Sequence, residues 1–108
     1  MTGALIAHVR DLLAPLPGIA ARRMFGGVGL FRDGMMFAIV VDDTLYLKAD
    51  AESAPLFDAV GARPFTYRRR GRTVALSYRE APAEAIEDRE ALAPWAEAAF
   101  AAALRARR

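Results

Sequence analysis

Residues 21–50, ARRMFGGVGLFRDGMMFAIVVDDTLYLKAD, decide the fold. Asp33-Gly34 separates two apolar runs by two residues, the strongest short-range hairpin signal. Asp42-Asp43 separates the next two runs in the same way. A two-residue loop at Asp33-Gly34 predicts Leu30 opposite Phe37 and Val28 opposite Ile39. Directly opposed residues share a face, so Val28, Leu30, Phe37, Ile39 and Val41 are expected on one side of the sheet. The loop at Asp42-Asp43 puts Tyr46 opposite Ile39, on that same side. Phe31, Met36, Ala38, Val40, Leu45 and Leu47 take the other. The strand Met35 to Val41 is then apolar on both faces, whereas an antiparallel sheet with one wet face alternates. Each face needs cover: helices on one, a helix or a second chain on the other.

Outward from this meander, Thr2 to Ala14 reads as a helix. Leu5, Ile6, Val9, Leu12 and Leu13 recur at helical spacing, Thr2 is a candidate N-cap, and Pro15 and Pro17-Gly18 end it. Ala20 to Phe31 reads as one extended strand, bent by a bulge at Gly26-Gly27. Asp50 to Val60 is a short helix closed by Gly61, with Pro55 in its first turn. Pro64 to Tyr78 is a second hairpin around Arg70-Gly71. Its expected pairs are Tyr67 with Val74 and Phe65 with Leu76, giving an apolar side of Phe65, Tyr67, Val74, Leu76 and Tyr78. Pro82 to Asp88 is a helical turn. Asp88 can cap a last helix, about Arg89 to Ala106, whose stripe is Leu92, Trp95, Ala96, Ala99, Phe100, Ala103 and Leu104, and Pro94 either kinks it or marks its start. The order α-β3-α-β2-α predicts an α+β two-layer sandwich with an antiparallel sheet. This order resembles the secretion-chaperone-like fold, which implies that a dimer is to be expected.

A chain of 108 residues, 55% of them hydrophobic, is expected to be one domain spanning 1–108. It has no cysteine, which excludes disulfides and thiolate metal sites. No run approaches the ~20 apolar residues of a membrane span, so no membrane partner is expected. His8, Arg10 and Asp11 interrupt the N-terminal apolar stretch, which argues against a secretory signal and for the cytoplasm. The net charge of +2 is unevenly laid out. Six arginines and no acid lie between Gly61 and Arg79, then six acids and one arginine from Glu80 to Glu97.

The stretch Arg23-Met24-Phe25-Gly26-Gly27-Val28-Gly29-Leu30-Phe31, followed by Gly34, Phe37 to Val41 and Leu45-Tyr46-Leu47-Lys48, resembles the N-terminal domain of the TfoX/Sxy proteins. Gly61-Ala62-Arg63-Pro64-Phe65-Thr66-Tyr67, Leu76-Ser77-Tyr78 and Glu87-Asp88-Arg89 fit the same pattern, which runs from about Met1 to Leu104. Met24, Phe25, Gly26, Gly27, Gly29 and Gly34 are the structural residues of the motif. The resemblance implies a regulator of natural competence. Full-length members of the family carry a second, helical domain and act with the cyclic-AMP receptor protein at promoters. The chain ends where that domain would begin, so a stand-alone N-terminal domain is expected.

Catalytic patterns are missing. His8 is the only histidine and is expected to pack at the edge of the core. Asp33 and Asp42-Asp43 lie at opposite ends of one strand, roughly 20 Å apart, and fit turns rather than metal ligation. Gly26-Gly27-Val28-Gly29 precedes a strand, whereas a phosphate loop precedes a helix. Ser53 and Ser77 lie in no nucleophile motif. No catalytic residue, metal or cofactor is expected. Arg68-Arg69-Arg70-Gly71-Arg72 is the one stretch with functional colour. The hairpin register sets Arg69 against Arg72, a like-charge pair that needs an anion, a bridge to Glu84, Glu87 and Asp88, or open solvent. The expected function is a non-enzymatic, protein-binding regulatory module that pairs with a second copy. The alternative is weak nucleic-acid binding through Arg68, Arg69, Arg70 and Arg72 with Arg22 and Arg23.

Overall fold

The computed structural model describes residues 2–24 and 26–107. The Phe25 part of the glycine motif lies outside the described residues, as do the side chains of Thr2 and Val74 and with them the expected N-cap and one member of the second hairpin's apolar side.

Helix α1 (Thr2–Leu13) leads into strands β1 (Ile19–Met24), β2 (Gly27–Arg32), β3 (Met35–Val41) and β4 (Thr44–Lys48). Helix α2 (Ala54–Asp58) follows, then β5 (Pro64–Arg69), β6 (Arg72–Glu80), a 3₁₀ turn (Ala83–Ile86) and α3 (Arg89–Arg107). The strands form one antiparallel sheet in the order β1-β2-β3-β4-β6-β5. The α+β class expected from the meander is therefore present.

The strand count differs from expectation. The segment read as one bent strand is two antiparallel strands, β1 and β2, with Met24 opposite Gly27. Gly26 takes φ +74°, a left-handed conformation that costs a glycine little. A Cβ on Gly27 would overlap the carbonyl oxygen of Val40, so only glycine lets β2 approach β3 there. The motif glycines make a hairpin, not a bulge.

A bulge does exist, one strand further on. Arg32 faces Met35 and Phe31 faces Met36 across the Asp33-Gly34 loop, but the register then shifts, and Leu30 faces Ala38 and Val28 faces Val40. Phe37 is the extra residue. The expected pairs Leu30–Phe37 and Val28–Ile39 do not form. As a result Phe37, Ala38 and Val40 all join Val28, Leu30, Leu45 and Leu47 on the helix side, and Ile39 goes to the opposite side. The expected partnership across the second loop, Ile39 with Tyr46, is as read, and Val40 faces Leu45 beside it.

The main core lies between this face and the helices. Val9 and Leu13 of α1, Phe57 of α2, Ala85 of the 3₁₀ turn and Leu92, Ala96, Ala99 and Ala103 of α3 pack on it. Alanines at 96, 99, 102 and 103 are all buried and let α3 sit close to the sheet. Leu104, expected in the stripe, is 41% exposed. Phe57 and Trp95 meet with ring centres 5.3 Å apart, which fixes α2 against α3. The Asp88 carboxylate accepts from the Ala91 backbone N–H at 2.8 Å, the cap that starts α3. Pro94 lies inside this helix and is not its start.

Candidate interaction surfaces

Every helix among the described residues lies on one side of the sheet, so the opposite face is formed by strand side chains alone. Ile39 is fully buried at its centre, flanked by buried Phe65 and Tyr78. Met24, Met36, Val41, Tyr46, Tyr67 and Leu76 surround them and are half-buried. The ring centres of Tyr46 and Phe65 are 4.9 Å apart, and those of Phe65 and Tyr67 are 6.4 Å apart. The Tyr78 hydroxyl donates to the Met36 carbonyl at 3.3 Å. Burial pushes the Tyr78 phenol up to about 12, so it keeps the proton that it donates. Lys48 Nζ lies 5.2 Å from the centre of the Tyr78 ring. Large side chains that would carry water on a wet sheet face pack on one another here, and the surface they present is still apolar.

The charges at this face are divided by the strand directions. The β3–β4 turn carries Asp42 and Asp43 at one end. Lys48 lies at the other, where it lines an open cleft beside Met36 together with Asp33 of the β2–β3 turn and Arg107 of α3. Both aspartates have positive φ, 50° and 56°, as do Asp33 and Gly34, so both loops are the tight hairpin turns that the sequence indicates.

The second surface is an arm. Strand β4 ends at Lys48, opposite Tyr78, and the stretch of β6 back to Arg72 pairs only with β5. The last tie to the sheet body is the Ala49 N–H bonded to the Ser77 carbonyl at 2.9 Å. The hairpin thus projects six residues past the sheet, roughly 20 Å at ~3.3 Å per residue. Tyr67 faces Val74 and Arg69 faces Arg72, as expected. The expected Phe65–Leu76 pair falls at a shift in register between Pro64 and Thr66.

The arginines of this region fall into two groups. Those near the sheet body are matched to acids: Arg63 to Glu80 at 3.3 Å and Arg79 to Asp58 at 2.8 Å. On the arm, Arg68 donates to the Gly71 carbonyl at 2.9 Å and closes the turn. Arg69, Arg70 and Arg72 are exposed and form no ion pair among the described residues; the bridge to Glu84, Glu87 and Asp88 is not made. Arg70 has φ +52° ahead of Gly71 at +78°. A side-chain-bearing residue there costs roughly 1–2 kcal/mol, and Asn or Asp is the usual choice.

Arg22 and Arg23 do not join this group. They belong to β1, at the opposite edge of the sheet from β5. Alternation also sends them to different faces, and the Arg22 guanidinium lies 5.6 Å from the centre of the Phe31 ring. Of the motif residues, Met24, Gly26 and Gly27 build the first hairpin, and Gly34 closes the second with φ +82°. Gly29 faces the sulfurs of Met24 and Met36. His8 is exposed rather than packed, and its Nε2 donates to the Ile86 carbonyl at 2.6 Å, tying α1 to the 3₁₀ turn. No group of three or more His, Cys, Asp or Glu gathers as a metal site among the described residues. No helix among them is long and apolar enough to cross a membrane.

One structural node escaped the sequence reading. The Asp50 carboxylate accepts from Arg105 Nε at 2.6 Å and Arg105 Nη2 at 3.0 Å, and from the Ser53 backbone N–H at 3.0 Å. The Ser53 hydroxyl in turn accepts from the Asp50 N–H at 3.0 Å. Glu52 approaches Arg105 to 2.7 Å. The hydrogen bond from Arg105 is the main reason that the Asp50 carboxyl is held well below the usual carboxylate range. Asp50 and Ser53, three residues apart ahead of Pro55, form a local start signal for α2. Arg105 is too distant in sequence to be foreseen.

These features define an α+β protein with an antiparallel sheet, helices on one face, an open apolar face and a basic arm. The chain belongs to the TfoX N-terminal domain family, whose pattern matches residues 11–103. It is similar to DNA transformation protein TfoX1 of Aliivibrio fischeri, with 35% identity over 57 residues, which is 53% of this chain and 27% of that protein. It is also similar to Protein Sxy of Escherichia coli strain K12, with 38% identity over 69 residues, 64% of this chain and 33% of that protein. The matched part is thus a third or less of the length of each relative.

Proposed function

We propose that the chain is a cytoplasmic, non-catalytic regulatory module of the kind found in TfoX1 and Sxy, and that it pairs with a second copy through its helix-free sheet face. The carrying observation is the half-buried apolar set Met24, Met36, Val41, Tyr46, Tyr67 and Leu76 around buried Ile39 on a face that no helix covers. Charge selects the occupant. A twofold rotation about an axis lying in the interface and across the strands lays the Asp42-Asp43 end of one copy over the Lys48 end of the other. The same stacking covers the base of the arm, where a two-stranded ribbon alone is only marginally stable. The two-layer sandwich is read as secretion-chaperone-like, a group in which dimers are common. Such a pair would present two copies of the family's module to a regulatory partner, in keeping with a role in competence.

Light scattering on a size-exclusion column tests this. The expected mass is twice the chain's 11.7 kDa, falling to a single chain in Met36→Glu or Val41→Glu variants that keep the wild-type circular dichroism. A folded wild-type protein that runs as one chain at all concentrations overturns it.

A further inference from the structure

We propose that the β5–β6 arm is a contact for B-form duplex DNA, lying in the major groove with Arg69, Arg70 and Arg72 on the flanking phosphates. Three observations carry this. The three guanidinium groups have no acid partner among the described residues, while Arg63 and Arg79, nearer the sheet body, are each matched to one. They are placed on a ribbon that runs past the end of β4, where β5 and β6 pair only with each other. The ribbon is also two-sided. Tyr67, Arg69 and Arg72 share one side, and Thr66, Arg68, Thr73 and Ala75 share the other, with Thr66 opposite Ala75 and Arg68 opposite Thr73. Thr66, Thr73 and Ala75 are exposed and small, so base edges can come close to that side.

The dimensions agree. Two strands lie ~4.8 Å apart, and a two-stranded ribbon fits a major groove ~12 Å wide. The major groove of A-form RNA is deep and narrow and shuts such a ribbon out. Like-charge opposition of Arg69 and Arg72, and an arginine in a left-handed turn position, are both features that phosphate contact offsets. The inference rests on the arm alone and holds for one chain or for two.

The test is a fluorescence titration of duplex DNA, duplex RNA of the same sequence, heparin and polyglutamate. Three phosphate contacts per arm give a log–log salt slope of about −3, or roughly 40-fold weaker binding between about 50 and about 200 mM salt. Arg70→Asn suits the turn, keeps the fold and is expected to bring the slope to about −2. Arg69→Gln/Arg72→Gln is expected to bring it to about −1. Duplex DNA is expected to bind more tightly than duplex RNA or heparin. Equal affinity for all three polyanions overturns groove binding. Retained DNA affinity in both arm variants, with circular dichroism showing the fold kept, puts the site elsewhere and overturns the proposal. So does binding of polyglutamate without DNA, which would make the arm a contact for an acidic protein surface.

Discussion

Single residues set the geometry of both surfaces. Gly27 allows β2 to close on β3, and any side chain there meets the Val40 carbonyl and the Val41 side chain. Gly27→Ala is expected to lower stability by about 1–3 kcal/mol, the range for overpacking a tight site, as measured by urea unfolding. Arg70→Asn should have the opposite sign and add a few tenths to about 1 kcal/mol, since Asn tolerates left-handed φ. Asp50 gives a pH signature. Its carboxyl is depressed in the folded state, so its contribution is fully present above the unfolded value of about 3.9 and is lost as pH falls through the folded value. Asp50→Asn should therefore lower the urea midpoint at pH 7 and differ progressively less from wild type below about pH 4. A gap that stays constant down to pH 2 would mean that Asp50 acts through packing alone.

At the scale of elements, the sequence marked whichever turns carried Asp-Gly, Asp-Asp or Arg-Gly between apolar runs, and all three are tight hairpins. It did not mark the change of direction between β1 and β2, because Arg22 and Arg23 precede it and the run reads as one extended segment. It also hid the bulge at Phe37, because every residue of β3 is apolar and alternation cannot reveal a slip. The faces were thus legible as apolar but not as sorted. The candidate arginines were legible on the arm, where register fixes them, and not at Arg22 and Arg23, which belong to the opposite sheet edge. Phe37→Ala is expected to cost about 3–5 kcal/mol, since the bulged ring is 1% exposed and packs edge-on against Phe100. Hydrogen exchange should find the amides of residues 66–76 opening far more readily than those of β3, because the arm has ladder bonds on one side only. Equal protection in the two strands would show that the arm is held by contacts beyond those of β5 and β6.

For the whole molecule, the division of labour follows from where the helices went. Once α1, α2 and α3 cover one face, the apolar set on the other is left to strand side chains alone, and this is the face proposed to receive a second copy. Met35 and Met36 make this measurable within one protein. They are neighbours in sequence, yet Met35 packs with the helix-side core and Met36, like Met24, belongs to the open face. The direct measurement is pulsed methionine oxidation read by mass spectrometry across a range of protein concentrations. The expected result is that oxidation of Met24 and Met36 falls as concentration rises while that of Met35 stays level. Oxidation of Met24 and Met36 that does not change with concentration would contradict the pairing of two chains through this face.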